Sequence, residues 1–503
     1  MSRLPAEGYL GTLHLALMAL IIVWNMVLAG RMARLRGSPR SLATLSGLAG
    51  LLILPAVFIA VVSDSLLTGR ALHEIAWVWP ATAAVFAAHA VYATRSGAVG
   101  RTIGVPITVY NVILAVVLAL RYLMSLGVLL PPAITALAAA HASALEMVVH
   151  PDAVMRSIYL LVPIIAPAIK PRVPRLALIT RVSAAVVAAA WAVLVLVAIP
   201  RSRLGVARYA SHGTDRLQER PSGDFTIGVK LFPTLTGEGP PSLALASDLA
   251  LASELEAQIV SVYAAPGRVS LALLDSVASV LEESRRAGRK LIAALDLSSS
   301  NESPGEHPLD SIQLSSRLAD VERLVRGLRP DYLVPAARAS LPLGQWTRYL
   351  AAASERAHRI RPRTMVMAHV PAYSQRDSAL YTWAVDSASG IDAIGFTLIP
   401  KAGGGVSLDA QTSAAERWMV AAKSRKEHWV LEGGGLPTIH GERSQERALW
   451  GSIAWATRHP NVKGFIVFSA SDYESPVGLR APGGRLRTAT RRVKQAILLL
   501  GER

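Results

Sequence analysis

The sequence predicts a two-part protein, an N-terminal α-helical transmembrane bundle followed by a C-terminal α/β domain of the (β/α)8 TIM-barrel class. Three observations carry this. Mean hydropathy is +0.37, high for a chain of 503 residues. The apolar excess is concentrated before residue 200 as long Leu/Ala/Val/Ile runs, whereas beyond Asp224 short apolar runs alternate with charged helical stretches. The divisions that follow are 1–200 for the membrane domain, 201–223 for a connector rich in Arg, Ser, Gly and Asp, and 224–503 for the barrel.

In chain order, apolar runs lie at Tyr9 to Ala29, Leu42 to Val62, Ile75 to Tyr92, Ile103 to Leu129, Ala133 to Val149, Val154 to Ile169 and Leu176 to Ile199. Several reach the roughly 20 residues that a spanning helix needs. The first lacks the basic leader of a cleavable signal peptide. Arg31, Arg34, Arg36 and Arg40 follow it, and Arg95 and Arg101 follow the third run, which by the positive-inside tendency puts both loops in the cytoplasm. With seven spans the barrel lies inside. With six, Ala133 to Val149 lying on or re-entering the outer surface, Lys170, Arg172 and Arg175 fall inside and the barrel is extracytoplasmic, which is the expectation taken forward for a multi-pass protein of the cell membrane. Arg201, Arg203 and Arg208 after the last run point the other way. His89, Asn111, His141 and Glu146 interrupt the runs; helix packing accounts for them better than an ion path or haem site.

Strands are expected at Phe225 to Phe232, Gln258 to Tyr263, Lys290 to Leu295, Tyr332 to Val334, Met365 to Val370, Ala393 to Leu398, Trp429 to Leu431 and Lys463 to Phe468. Helices are expected at Ser242 to Glu256, Val269 to Ala287, Leu314 to Leu328, Gln345 to Arg361, Ala379 to Ser387, Ala410 to Lys423, Glu442 to Arg458 and Thr488 to Leu500. Strict alternation over this length is the signature of the eightfold barrel. An open doubly wound sheet is the competitor, but no Gly-rich phosphate loop follows the first strand.

Charge and composition exclude some classes. Lys and Arg exceed Asp and Glu by 17; residues 1–200 hold 14 basic and 5 acidic residues, so +9 lies there and 17 − 9 = +8 beyond. No basic run is interleaved with aromatics, so no nucleic-acid partner is expected. Cysteine is absent, which removes disulfides, thiolate metal sites and a Cys nucleophile. No His pair has metal-ligand spacing; neither metal nor cofactor is expected. Oligomeric state is left open.

The leading functional residue is Glu432. It closes the strand HWVL immediately before three glycines, and residues at the C-terminal ends of barrel strands line the active-site mouth. By the same placement Asp296 ends the third strand; Glu302, Glu306 and His307 lie in the loop after it; Glu238 follows the first strand; and Asp472 and Glu474 follow the eighth. Tyr263, Arg338, His369, Tyr373 and Asp472 are candidate substrate-contacting groups at the mouth, with Trp383 a further aromatic.

Glu432, Gly433 and Pro437, then Gln445, then VKGFIVFSASDY and GLRAPGGRLRTA before the last helix, resemble in order and spacing the large clan of retaining glycoside hydrolases built on this barrel. PDYLV at Pro330 to Val334 and IDAIGF at Ile391 to Phe396 sit where its fourth and sixth strands belong. The resemblance covers Asp224 to the C-terminus. It implies Glu432 as nucleophile and a glutamate acid/base just beyond the fourth strand, where this chain has Ala337 beside Arg338. Leu398, Ile399 and Pro400 stand where the clan usually has a Tyr after the sixth strand, and Phe468 and Ser469 where its eighth strand often ends in Trp. Asp296 or Glu302 is then the substitute acid. What the resemblance implies is a membrane-anchored glycoside hydrolase or transglycosylase acting on cell-surface or external polysaccharide. The alternatives are a catalytically inactive saccharide-binding receptor or scaffold, and the ligand-recognition module of a membrane transporter or sensor.

Overall fold

The computed structural model describes residues 6–29, 39–56, 77–126, 130–148, 162–168, 192–200, 212–231, 242–297, 308–339, 341–371, 373–399, 408–472, 477–481 and 484–501, with isolated positions between. The N-terminal part contains α1 (Ala6–Ala29), α2 (Arg40–Leu48), α3 (Val78–Arg95), α4 (Arg101–Ser125) and α5 (Pro132–Val148). A π-helical turn, Ala49–Ile53, continues α2. Among the described residues one helix, Arg101–Met124, is long and apolar enough to cross a bilayer. Among the described residues none of the other expected crossings forms such a helix, and much of Leu42 to Val62, Val154 to Ile169 and Leu176 to Ile199 lies outside the described residues.

Within the run Val154 to Ile169 the described residues, 162–168, do not take the expected helical form. Residues 162–168 are irregular, neither helix nor strand, and buried. Pro163 and Pro167 have no N–H to give a helix ladder, and side chains from the flanking helices take over the backbone groups between them. Asn111 Nδ2 donates to the Ile164 carbonyl at 2.8 Å while its Oδ1 accepts from the Ile164 amide at 3.0 Å. Asn25 does the same for Pro163 and Ile165, at 2.7 and 3.0 Å, and the Tyr110 hydroxyl donates to the Val162 carbonyl. Asn111 is therefore a packing residue. Non-helical backbone in an apolar surround persists only where each polar group finds a partner in this way.

The C-terminal part is a closed parallel barrel of eight strands in sequence order. The strands are β1 (Thr226–Lys230), β2 (Ile259–Ala264), β3 (Lys290–Asp296), β4 (Tyr332–Ala337), β5 (Met365–Val370), β6 (Ala393–Leu398), β7 (Glu427–Gly433) and β8 (Val462–Val467), and β8 closes on β1. Around them lie α6 (Ser242–Glu254), α7 (Leu271–Arg286), α8 (Ser311–Leu328), α9 (Leu343–Ile360), α10 (Gln375–Val385), α11 (Leu408–Ala422), the short α12 (Pro437–His440), α13 (Glu442–Arg458) and α14 (Thr488–Gly501). The residues outside the strands pack against the helices as one core; those inside, among them Ile259, Ile292, Val334, Met367 and Ile466, fill the barrel as another. Trp429 plugs its interior beside Tyr332, ring centroids 4.8 Å apart. Gly464 makes room for it, since a Cβ there would stand 2.1 Å from Trp429 Cζ3.

The connector is not a loose tether where it is described. Trp450 of α13 donates its indole N–H to the Asp215 carbonyl at 2.7 Å, the Gln218 amide donates to Thr457 Oγ1, and Arg220 donates to the carbonyls of Thr457, His459, Pro460 and Val462. Residues 212–224 thus form a strap along α13, leading to the start of β1.

The two parts meet at the barrel's C-terminal rim. Ala139 and Ala142 of α5 form one buried cluster with Leu436, Phe468 and Val477. A Cβ on Gly441 would lie 3.7 Å from Thr135 Cγ2 and 3.8 Å from Met124 Cε.

Two substitutions test this packing. Gly464→Ala forces a methyl into the Trp429 ring and should lower stability by about 1–3 kcal/mol by overpacking, read as a lower denaturant midpoint. Asn111→Ala strands two buried backbone groups of Ile164 and should cost about 2–4 kcal/mol, read as a lower thermal midpoint of the full chain in detergent.

Candidate functional site

Side chains alternate across a strand, so each strand offers one last inward-facing residue at the C-terminal rim. On β1 this is Lys230, on β3 Asp296, on β5 His369 and on β6 Thr397. β7 departs from simple alternation: its register against β6 shifts between the pairs Phe396↔Val430 and Thr397↔Glu432. That irregularity sets Glu432 beside Thr397, as bulges re-aim side chains near barrel sites.

A directed hydrogen-bond chain orients the carboxylate. The Arg338 amide donates to His369 Nδ1 at 3.0 Å, which leaves the imidazole proton on Nε2. His369 Nε2 then donates to Thr397 Oγ1 at 2.9 Å, and Thr397 donates to Glu432 Oε2 at 3.0 Å. Burial is the main cause that pulls the His369 pKa below its ordinary value, so the ring serves as a neutral relay of orientation. Glu432 Oε1 has no hydrogen-bond partner among the described residues; it faces Arg338 Nε at 3.7 Å.

Arg338 follows directly on Ala337, which occupies the last position of β4 and faces the barrel interior. Its backbone φ of 53° is left-handed, and its guanidinium bonds Asp296 on one side while facing Glu432 on the other. Asp296 lies beside Ala337 in the β3–β4 register. Above this pair lie two aromatic rings. Lys230 Nζ sits 4.3 Å from the Tyr263 ring centroid and 4.1 Å from that of Phe468, and the Arg338 guanidinium carbon 5.7 and 5.5 Å from the same two rings. Burial first, then the Glu432 charge, push the Tyr263 phenol well above its ordinary pKa, which keeps it a donor.

The structure therefore brings Glu432, Asp296, Arg338, His369 and Tyr263 together. His369 and Tyr263, both expected as sugar contacts, are buried, His369 hydrogen-bonded to Thr397 and Tyr263 beside Glu432 and Arg338. Tyr373 is placed elsewhere: its ring stacks on Trp418 at 5.5 Å and its hydroxyl donates to the Thr397 carbonyl. Trp383 packs against the outer core. Asp472 accepts from Arg487 and from the Gly478 amide. Glu302, with Glu306, His307, Glu238 and Glu474, lies outside the described residues. Lys230 and Thr397 were not among the sequence candidates, although inward alternation on β1 and β6 would have found both. No group of three or more His, Asp or Glu side chains suited to a metal ion occurs among the described residues.

Sequence comparison matches no family model and no curated protein. Solved structures similar in fold are glycoside hydrolases: XacCel5A in complex with cellopentaose (13% identity, TM-score 0.41, covering 54% of this chain and 98% of that one), a psychrophilic family 10 endo-β-1,4-xylanase (15%, 0.39, 54% and 96%), and the family 53 catalytic domain of Ignisphaera aggregans (13%, 0.41, 56% and 99%). The barrel itself rests on its own strand pairing.

Two buried histidines make stability pH-dependent. Burial lowers His428 to a pKa of about 4 and lowers His369 as well. Each takes up a proton more readily when unfolded, so their contribution is complete above about pH 6.5 and is lost as pH falls toward the folded-state value. For His428 alone the loss down to pH 4 should be roughly 2–4 kcal/mol, and His428→Gln should flatten the acid limb of a stability profile taken by denaturant titration.

Proposed function

We propose that this protein is a membrane-anchored carbohydrate-active enzyme, a glycoside hydrolase or transglycosylase in which Glu432 is the nucleophile. The observation that carries the reading is the one-sided support of that carboxylate. Thr397 fixes Oε2, whereas Oε1, with no geometrically sound hydrogen bond among the described residues, faces Arg338 Nε at 3.7 Å beside the Tyr263 phenol. A nucleophile needs that combination of fixed orientation and an available lone pair. In the reaction Glu432 would attack the anomeric carbon, and water or an acceptor sugar would later release the glycosyl group. Asp296 is the second carboxylate at the rim. A guanidinium only donates, so Asp296 presents lone pairs to Arg338; it would act as acid/base once substrate displaces that contact. Tyr263 supplies from β2 the phenol beside the nucleophile that the stretch after β6 lacks.

Membrane attachment is supported by faces that a water-exposed bundle would not keep. Val105, Val109, Val112 and Val116 of α4 are 50, 47, 44 and 46% exposed and form one helical stripe, and Leu20, Val23, Leu196 and Val197 extend the apolar surface on other segments. The orientation of α4 favours an extracytoplasmic barrel. Its Arg101 end belongs to the basic loop assigned to the cytoplasm, while Met124, about 35 Å away along the axis, touches the barrel rim.

One observation favours a second reading. Ala337 fills the usual acid/base position and Arg338 spans the two carboxylates, an arrangement that would also suit a barrel that binds saccharide without cleaving it.

The full chain in detergent, assayed on a panel of α- and β-linked aryl glycosides, separates the two. Activated leaving groups need little acid assistance, so turnover should be seen and should fall at least ~10³-fold in Glu432→Ala. A folded wild-type chain that binds saccharide yet releases no aryl group would establish the binding barrel instead.

A further inference from the structure

Three glycines separate Glu432 from a segment that is held by the helical domain. After Gly433, Gly434 and Gly435 come Leu436 and the single turn α12, which packs against both α4 and α5. Leu436 and His440, at the two ends of that turn, are 8 and 2% exposed. Beyond it, a Cβ on Gly441 would touch Thr135 of α5 and Met124 of α4 at 3.7 and 3.8 Å. The loop that leaves the candidate nucleophile is therefore seated between two helices of the N-terminal part.

The glycines do not make this connection slack. None of the three has a positive φ, so a left-handed turn is not their purpose. The chain passes too close to its neighbours for a side chain. A Cβ on Gly433 would stand 2.0 Å from Phe465 Cζ, one on Gly435 2.8 Å from Gln445 Cα, and one on Gly434 3.0 Å from the Phe468 carbonyl oxygen. Backbone bonds pin the same stretch: the Gly434 amide donates to the Leu398 carbonyl at 3.2 Å, and the Phe468 amide to the Gly433 carbonyl at 2.8 Å. A close-packed segment passes a shift on to its neighbours because there is no void to absorb it.

Phe468 makes a second connection. Its ring belongs to the cluster that Ala139 and Ala142 of α5 form with Leu436 and Val477. The same ring meets Tyr263 edge-on, centroids 6.4 Å apart, and Tyr263 lies beside Glu432. Helix α5 thus stands behind both the loop that leaves Glu432 and an aromatic pair next to it. We propose that Leu436 and Phe468 are positioning residues through which α5 holds Glu432 in its reactive placement, so that the helical domain is a working part of the site. This rests on the glycan-acting reading above. Alanine at positions 139 and 142 leaves the room that Leu436 and Phe468 occupy. A larger side chain there would push on both, and through them on the carboxylate.

The test uses the full chain in detergent, with thermal unfolding confirming that each variant is folded. Ala142→Leu adds bulk to the cluster and Leu436→Ala removes it. Each should lower kcat on an aryl glycoside about 10- to 100-fold, the scale of a misplaced reacting group, with KM changed less than about threefold. Combining the two should recover most of the lost kcat, because the volume given up at 436 accepts the volume added at 142. Ala93→Leu inserts the same bulk in a cluster that contains no barrel residue and should leave kcat within about twofold of wild type. Hydrogen exchange gives a reading that needs no turnover. In Ala142→Leu the bonded amides of Gly434, His440 and Gly441 should exchange about tenfold faster while those of β2 and β3 are unchanged, and the double variant should restore them. Should Ala142→Leu not fold, Leu436→Ala is set against Leu436→Met, which should keep most of the wild-type kcat. Wild-type kcat and exchange in both single variants overturn the inference, as does a loss that the double variant does not recover or that Ala93→Leu reproduces. A wild-type chain without aryl-glycoside turnover defeats the hydrolase reading, and the exchange measurement then decides this inference by itself.

Discussion

Closing eight parallel strands into a barrel brings the last inward-facing residue of each strand to one rim, and the candidate chemistry of this protein depends on that constraint. Lys230, Asp296, His369, Thr397 and Glu432 are distant in sequence, yet strand order and register place them in one ring. The β6–β7 register shift then turns Glu432 toward Thr397. Without it, alternation from Trp429 and Leu431, which face inward, would direct Glu432 outward into the helix layer.

Within that ring the polar groups are mutually dependent. Arg338 bonds Asp296 and faces Glu432, and its own amide fixes the His369 tautomer that in turn orients Thr397. Removing one member of such a buried network leaves another charged or polar group without compensation, which is more damaging than the net strength of any single contact. The two rings of Tyr263 and Phe468 supply the cation-facing surface that lets Lys230 and Arg338 share one side of the mouth.

The helical domain is part of the site's surroundings and not merely an attachment. Its α5 packs on one sector of the rim, and residues 212–224 run as a strap along α13 of the barrel. The irregular segment at 162–168, held by Asn25 and Asn111, is a fixed element inside that domain. A barrel mouth turned toward apolar helices poses a different access problem from one open to water.

The sequence by itself determined the barrel. All eight strands and all eight major helices follow from periodicity and turn residues, because a parallel α/β barrel repeats one local pattern and each unit carries its own signal. It also placed Glu432 and Asp296 as rim carboxylates, since both lie at a strand's end. It did not reveal that residues 162–168 are non-helical: hydropathy counts apolar side chains and is blind to where backbone hydrogen bonds go, which Asn25 and Asn111 decide from more than 50 residues away. Nor did it separate Tyr263 and His369, which support Glu432, from Tyr373, which stacks on Trp418. Each follows its strand in a similar local context, and only tertiary packing decides which partner its polar atom meets. The docking of α5 on the rim was invisible for the same reason: Ala139 and Ala142 are ordinary helix residues until the opposing surface is present.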